Sequence, residues 1–166
     1  MSGVALVTGS SGGLGNAICE RLKSDGLRVV GIDLEPSEAR LDHFVRCDLG
    51  DCEQIDAAFA EVESGLGTMT VLVNNAGFYN PVPFLELTME QLQTALEINV
   101  KAVFCTCQRM ARKLISEKRN GAIVNIASIS GQIGSSSTDY GATKAAVINM
   151  THSISKDLAI HGIRVN

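Results

Sequence analysis

Short apolar runs alternate with amphipathic stretches along the whole chain. An uninterrupted apolar run is typical of a strand buried in a parallel sheet, whereas apolar residues three and four positions apart indicate one face of a helix. Strands are therefore predicted at residues 4–7, 27–33, 43–47, 71–73, 122–127 and 163–166. Helices are predicted at residues 14–23, 51–63, 88–118 and 139–160.

This order of elements predicts an α/β fold, a doubly wound parallel sheet with helices on both faces. In such a sheet, ligands bind beyond the carboxyl ends of the strands. The length of 166 residues predicts a single domain over residues 1–166, and the chain stops within the predicted sixth strand.

The longest predicted helix begins at Thr88-Met89-Glu90-Gln91, a sequence that can form a capping box. One stripe of this helix is expected to face the core because apolar residues recur there at helical spacing. The stripe consists of Leu92, Leu96, Asn99, Val103, Met110 and Leu114.

Composition narrows the classes of function. Apolar residues make up 45% of the chain, which is enough to form a core. A net charge of −4, no Trp and only two Tyr disfavour nucleic acid as a partner. No apolar stretch approaches the ~20 residues of a membrane-spanning helix, and Met1-Ser2-Gly3 leads into the first strand without a charged leader. We therefore expect a protein without a membrane partner, located in the cytoplasm.

The cysteines and histidines indicate neither a disulfide framework nor a metal site. The five cysteines are odd in number and contain no C-x-x-C, as expected for a protein of a reducing compartment. Cys105 and Cys107 are expected to be separate thiols, since residues two apart on a helix point ~200° away from each other. His43, His152 and His161 lack the spacing of metal ligands, so no metal is expected.

A glycine-rich turn follows the first predicted strand, with the sequence Thr8-Gly9-Ser10-Ser11-Gly12-Gly13-Leu14-Gly15. Such a turn presents free backbone N–H groups and the positive end of a helix to a pyrophosphate. The spacing is not that of a nucleoside triphosphate loop, because the lysine of G-x-x-x-x-G-K-[ST] is missing. The alternative is a tight turn whose glycines serve only for packing.

Asp33 ends the second predicted strand, where a carboxylate can accept hydrogen bonds from an adenosine ribose. The same charge would repel a 2′-phosphate, and no Lys or Arg occupies position 10, 11 or 34. NAD is therefore favoured over NADP. The alternative is an ordinary aspartate that caps a turn.

Tyr140 and Lys144 lie four residues apart, on the same face of the last predicted helix. An ammonium beside a phenol favours the phenolate, as a proton donor or acceptor working near neutral pH requires. The alternative is a packed ring with the lysine in solvent. Ser128 and Asn74-Asn75-Ala76-Gly77 follow the fifth and fourth strands and are predicted at the same sheet edge.

Taken together, these motifs resemble the short-chain dehydrogenase/reductase family, whose members have a Rossmann fold and use NAD or NADP. The motifs are Thr8-Gly9-x-x-x-Gly13-x-Gly15, Asn74-Asn75-Ala76-Gly77, Asn99, Ser128 and Tyr140-x-x-x-Lys144. The resemblance covers the whole chain. It implies an oxidoreductase that transfers a hydride between NAD(H) and a secondary alcohol or ketone.

The resemblance also implies roles for individual residues. Tyr140 is expected to be the catalytic acid/base, Lys144 to support it and to bind the nicotinamide ribose, and Ser128 to orient the substrate oxygen. Asn99 is expected to hold a water molecule that links Lys144 to solvent. The cofactor is expected to contact Gly9, Ser11, Gly13, Leu14, Gly15, Asp33, Asp48, Leu49, Asn75, Ala76, Gly77, Tyr140 and Lys144.

Two departures from the family pattern keep alternatives open. Tyr140 follows Ser128 by 12 residues, a shorter spacing than in most members. The family's Pro-Gly turn, substrate loop and last strand are not in the sequence, which predicts either a catalytically incompetent NAD-binding or interaction module or a part of a longer enzyme. The substrate stays open among a 3-oxoacyl thioester, a sugar or polyol, a steroid and a small secondary alcohol. A homo-oligomer, either a dimer or a tetramer, is expected to form through the two long helices.

Overall fold

A computed structural model describes residues 3–36 and 38–166. Met1 and Ser2, to which the expected absence of a charged leader refers, lie outside these ranges. The strands are β1 (Val4–Thr8), β2 (Arg28–Asp33), β3 (His43–Arg46), β4 (Met69–Asn74), β5 (Gly121–Asn125) and β6 (Ile163–Val165). The helices are α1 (Gly13–Ser24), α2 (Cys52–Leu66), α3 (Met89–Leu96), α4 (Ala102–Ser116) and α5 (Thr138–Ala159). Two 3₁₀ turns lie at Phe84–Glu86 and Ile129–Gly131.

All six strands are parallel and form one sheet in the order β3-β2-β1-β4-β5-β6. This order confirms the predicted doubly wound sheet of a Rossmann fold. The order reverses between β1 and β4, where Thr8 is the register partner of Asn74, and Asn74 in turn pairs with Asn125. The chain therefore leaves β1, β4 and β5 at one edge, and this edge is where a ligand is expected.

The core lies on both faces of the sheet. Leu6, Phe59 and Leu72 belong to a large apolar cluster on one face, whereas Val7 and Val73 belong to a smaller cluster on the other. Successive residues of a strand point to opposite faces, so a strand covered on both faces needs apolar residues at every position. This is why β1 appears in the sequence as an unbroken apolar run.

The helix predicted at residues 88–118 is interrupted. Its start is confirmed, since Thr88 and Gln91 form the predicted capping box. A π-helical turn over Glu97–Lys101 then separates α3 from α4. Such a turn inserts an extra residue and rotates the two helical faces relative to each other. The predicted stripe is therefore wrong at Leu96, which is 40% exposed, although Asn99 and Met110 are buried.

The expectation of separate thiols is wrong for one pair of cysteines. Cys52, the first residue of α2, forms a disulfide with Cys105 of α4, and their Cα atoms are 6.3 Å apart. The two residues are 53 positions apart in the sequence, so their approach depends on how α2 packs on α4 and not on any local spacing. Cys19, Cys47 and Cys107 are buried free thiols, and burial raises the pKa of Cys107 to about 12.

Candidate active site

A cleft of about 610 Å³ opens at the sheet edge where the chain leaves β1, β2 and β4, and the start of α5 borders it. The residues that the resemblance assigns to the cofactor all line this cleft. They are Gly9, Ser11, Gly13, Leu14, Gly15, Asp33, Asp48, Leu49, Asn75, Ala76, Gly77, Tyr140 and Lys144. Their individual roles stay predictions, but the structure brings them to one surface.

Two glycines of the first turn are needed for close packing. Gly9 has a φ of +64°, and a Cβ there would lie 2.7 Å from the Cα of Ala76. A Cβ on Gly15 would lie 2.0 Å from the carbonyl oxygen of Gly9. Packing therefore explains these two glycines, whereas a Cβ on Gly13 would meet no atom within 4 Å. The turn is tight on its inner side and open towards the cleft.

The backbone N–H groups at the start of α1 are not capped by a side chain. Its N-cap residue, Gly12, makes no side-chain hydrogen bond to the helix, whereas the side chain of Asp51 caps α2 and that of Thr88 caps α3. The first N–H groups of a helix need partners, and they lie at the positive end of the helix dipole. An uncapped helix start beside open space at Gly13 fits the pyrophosphate of a dinucleotide.

The carboxylate of Asp33 holds the glycine turn. One oxygen accepts a hydrogen bond from the N–H of Ser11 at 2.9 Å, and the other accepts from the N–H of Leu34 at 2.7 Å. Each carboxylate oxygen can accept a further hydrogen bond, so the group can still receive ribose hydroxyls.

Arg46 is a nearby cation that sequence reasoning missed. It pairs with Asp33 in the register of β2 and β3, and its guanidinium lies 3.5 Å from the Glu35 carboxylate. Arg46 is 13 positions from Asp33 in the sequence and comes close to it only because β3 pairs with β2. The two carboxylates of Asp33 and Glu35 exceed the one positive charge of Arg46, so the net charge of this group is negative.

Tyr140 and Lys144 meet in the cleft on one face of α5, as predicted. The Lys144 ammonium donates a hydrogen bond to the carbonyl oxygen of Ile126 at 2.7 Å and lies 5.7 Å from the centre of the Tyr140 ring. Lys144 is only 4% exposed, which excludes the alternative of a lysine reaching into solvent. Burial lowers the pKa of Lys144 below its ordinary value.

Asn99 and Ser128 support the cleft without lining it. The buried Asn99 amide oxygen accepts from the N–H of Phe78 at 2.7 Å, and its nitrogen donates to the Phe78 carbonyl and to the Thr143 hydroxyl. Its side chain thus joins the segment after β4 to α5, and the water that the resemblance implies stays a prediction. The Ser128 oxygen accepts from the N–H of Ser130 at 3.2 Å, which leaves its proton available to a ligand.

Beyond the predicted residues, Gly12, Leu34, Cys47, Ile98 and Ile126 also line the cleft, as do Phe78 and Tyr79, which the sequence places after β4. Cys47 could have been predicted from the sequence as a lining residue, because it directly precedes Asp48, which was expected to contact the cofactor. Ile98 could not, because it belongs to the π-helical turn, which the apolar pattern does not indicate.

A buried polar network lies beneath the cleft. The Asn74 amide donates to Asn125 at 2.8 Å and accepts from the Thr106 hydroxyl at 2.8 Å, and the Asn125 amide donates to Thr151 at 2.9 Å. Buried amide and hydroxyl groups are stable only when they are paired in this way. The network fixes the ends of β4 and β5, from which the chain enters the cleft.

Residues 3–36 and 38–166 contain neither a candidate metal site nor a candidate membrane span. No group of three or more His, Cys, Asp or Glu side chains there could hold a metal ion. No helix in the same ranges is long and apolar enough to cross a membrane.

Comparison with known proteins agrees with this geometry. Residues 3–166 match a family model described as short chain dehydrogenase. The sorbitol dehydrogenase of Cereibacter sphaeroides is 37% identical over 171 residues, which cover 98% of this chain and 67% of that protein. The 3-oxoacyl-[acyl-carrier-protein] reductase MabA of Mycobacterium avium is 37% identical, with 97% of this chain and 63% of that protein covered.

A short-chain dehydrogenase from Leptospira borgpetersenii with bound NAD+ has been solved, and it resembles this chain with a TM-score of 0.94. The two are 27% identical, and the match covers 100% of this chain and 69% of the other. The chain thus spans about two thirds of the length of these three proteins. It belongs to the short-chain dehydrogenase family, a family of oxidoreductases.

Proposed function

We propose that this protein transfers a hydride between NAD(H) and a secondary alcohol or ketone, with Tyr140 as the acid/base. The observation that carries the proposal is the arrangement of one cleft. Tyr140 and the buried Lys144 border it together with the glycine turn and Asp33. A proton-transfer pair beside a dinucleotide cradle is what carbonyl reduction and alcohol oxidation require.

The uncapped start of α1 would hold the pyrophosphate, and Asp33 would accept from the adenosine ribose. The acidic surroundings of Asp33 and Glu35 favour NAD over NADP, because a 2′-phosphate would meet two carboxylates and the single guanidinium of Arg46. The bound NAD+ of the Leptospira relative supports this assignment.

Bound NAD(H) would supply or accept the hydride, and the chain's own residues would handle the proton. In reduction, the Tyr140 hydroxyl donates its proton to the substrate oxygen, and in oxidation the phenolate takes the proton from the alcohol. The Lys144 ammonium, held by the Ile126 carbonyl, would keep a positive charge 5.7 Å from the centre of the Tyr140 ring. Ser128 would donate its free proton to the same substrate oxygen and so orient it.

A titration with NADH and a turnover assay of the Tyr140→Phe variant test the proposal. The variant keeps the ring and loses only the hydroxyl, so we expect unchanged NADH affinity and a loss of turnover by a factor of about 100 or more. Turnover close to that of the unmodified protein would overturn the role of Tyr140. NADH binding without turnover of any alcohol or ketone would instead favour the binding module, which the similarity to named oxidoreductases does not favour.

The proposed substrate class is a secondary alcohol or ketone. The names of the relatives suggest two series for the assay, polyols and 3-oxoacyl thioesters. Tyr79, Phe84, Leu85, Ile129 and Ile133 are exposed on the segments that follow β4 and β5. These apolar side chains support the thioester series, because an acyl chain would cover them and a polyol would not.

We further propose a homo-oligomer, a dimer or tetramer, formed through α4 and α5. A groove of about 250 Å³ between these helices includes Phe104, Ile115 and Leu158, and Phe104 is 49% exposed. A charge placed there, Phe104→Glu, should convert the oligomer to monomers in light scattering. A stable monomer of the unmodified protein would contradict this proposal.

A cytoplasmic location is proposed on the basis of the cysteine content, and it implies that Cys52 and Cys105 are reduced in the cell. Alkylation of thiols in intact cells, followed by mass spectrometry, tests this. Both cysteines should be alkylated before any reductant is added. A pair that resists alkylation until reduction would place the protein in an oxidising compartment.

A further inference from the structure

Asp139, the residue before Tyr140, carries an unusual carboxylate. The residue is 1% exposed and lies in the first turn of α5, where the positive end of the helix favours a negative charge. Its Oδ1 accepts a hydrogen bond from the Ser137 hydroxyl at 2.8 Å. Its Oδ2 is buried and finds no hydrogen-bond partner within residues 3–36 and 38–166. Burying such a group costs stability, so its position needs an explanation.

The hydrogen-bond partner of the Asp139 carboxylate is Ser137. This residue is fully buried, and two acceptors lie within reach of its hydroxyl. Asp139 Oδ1 is 2.8 Å away, and the main-chain oxygen of Asn80 is 3.5 Å away. A hydroxyl has a single proton, and a charged acceptor forms the stronger and shorter bond. The Ser137 hydroxyl therefore donates its hydrogen bond to Asp139, and the Asn80 oxygen is left at the longer distance.

Asn80 directly follows Tyr79, whose ring packs against the ring of Tyr140. The two ring centres are 5.0 Å apart, and the planes meet at 73°. Tyr79 is 56% exposed, so this edge-on contact and the placement of Asn80 are important restraints on its ring. Two adjacent residues of the segment after β4 thus face Ser137 and Tyr140 at the start of α5.

We infer that Asp139 is a positioning residue for Tyr140. Asp139 accepts the hydrogen bond of the Ser137 hydroxyl and so keeps the Asn80 oxygen from approaching that hydroxyl. The distance between Asn80 and Ser137 then sets how the Tyr79 ring packs on the Tyr140 ring. Any effect on turnover rests on the proposed function of Tyr140, but the placement of the two rings does not.

The placement can be measured directly, because Tyr79 and Tyr140 are the two tyrosines of the chain and it has no Trp. After labelling with 3-fluorotyrosine, a fluorine NMR spectrum shows these two residues alone. In Asp139→Ala, the Ser137 proton is free to bind Asn80, and we expect that contact to shorten to about 2.8 Å. Both fluorine resonances should then shift.

Three further variants make the test specific. Asp139→Asn keeps an oxygen that can accept from Ser137 and should restore the original spectrum. In Ser137→Ala no hydroxyl is left to bind Asn80, so adding Asp139→Ala to Ser137→Ala should cause no further shift, since Asp139 acts through Ser137. Asp25→Ala, which removes an exposed aspartate at the end of α1, is the control and should leave the spectrum unchanged.

Unshifted resonances in Asp139→Ala would overturn the inference, as would a further shift when Asp139→Ala is added to Ser137→Ala, or an Asp139→Asn spectrum that matches Asp139→Ala. In the turnover assay, Asp139→Ala should lower kcat about tenfold at unchanged NADH affinity, and Asp139→Asn should recover it. An unchanged kcat with shifted resonances would overturn the link to Tyr140. Shifted resonances in a protein that turns over no substrate would instead overturn the proposed function and leave the ring placement intact.

Discussion

The two sides of the cleft are built from different parts of the chain. On the side of β1 and β2, main-chain atoms pack so closely that Gly9 and Gly15 have no room for a Cβ, and the Asp33 carboxylate fixes the turn. On the other side, Tyr79 of the segment after β4 borders the cleft and is 56% exposed, and Phe84 and Leu85 further along the same segment stand in solvent. Main-chain atoms that are packed this closely keep their positions before a ligand binds. Exposed side chains can change conformation and can be substituted at little cost in stability.

The largest expected effect on the cofactor side comes from the disulfide behind it. Cys52 begins α2 shortly after Asp48 and Leu49, which line the cleft, and the bridge joins this region to α4. From the 53-residue separation, the chain-entropy relation gives about 4 kcal/mol of stability for the bridge. Urea unfolding with and without dithiothreitol measures it. In Cys52→Ser the reductant should have no effect, and equal midpoints for the oxidised and reduced unmodified protein would contradict the prediction.

Alanine should destabilise the glycine turn at Gly15 but not at Gly13, two residues away. Gly15→Ala places a Cβ 2.0 Å from the Gly9 oxygen, so we expect a loss of about 3 kcal/mol in the free energy of unfolding. Gly13→Ala is the matched control, because its Cβ would meet no atom within 4 Å and the helix gains an alanine. Its stability should be equal or higher by up to about 1 kcal/mol. Similar losses in both variants would mean that backbone crowding is not what distinguishes them.

A smaller effect is expected on cofactor selectivity. Asp33→Asn removes the negative charge but keeps an oxygen that can accept from Ser11. The ratio of NAD to NADP affinity should fall about tenfold, corresponding to about 1.4 kcal/mol. Asp25→Asn makes the same change at an exposed aspartate at the end of α1, outside the cleft, and should leave the ratio unchanged. Selectivity unaffected by Asp33→Asn would argue against its ribose role.

The smallest effect is expected on the substrate side. Leu85 is 93% exposed, so Leu85→Ser removes little packing and should change the free energy of unfolding by less than about 0.5 kcal/mol. Urea unfolding beside Gly15→Ala makes the comparison direct. A loss near that of Gly15→Ala would show that both sides of the cleft are equally constrained.

The same difference explains what could be predicted from the sequence. The sheet and its helices follow from apolar periodicity, and the glycine turn follows from residue types that only a close main-chain approach requires. The π-helical turn at Glu97–Lys101 could not be predicted, since apolar residues continue at helical spacing on both sides of it and no residue type marks the turn. The bridge between Cys52 and Cys105, and the approach of Arg46 to Glu35, depend on packing between distant segments.

Asn74, Thr106, Asn125 and Thr151 connect β4, β5, α4 and α5 by consecutive hydrogen bonds. Opening any one of these elements leaves buried polar groups on its neighbours without a partner, at about 1–3 kcal/mol for each group. The four elements should therefore open as one cooperative unit, and their amide hydrogens should exchange with solvent only on global unfolding. The segments that follow β4 and β5 carry the exposed side chains and lie outside this unit, so we expect their amides to exchange by local opening while the rest of the protein stays folded.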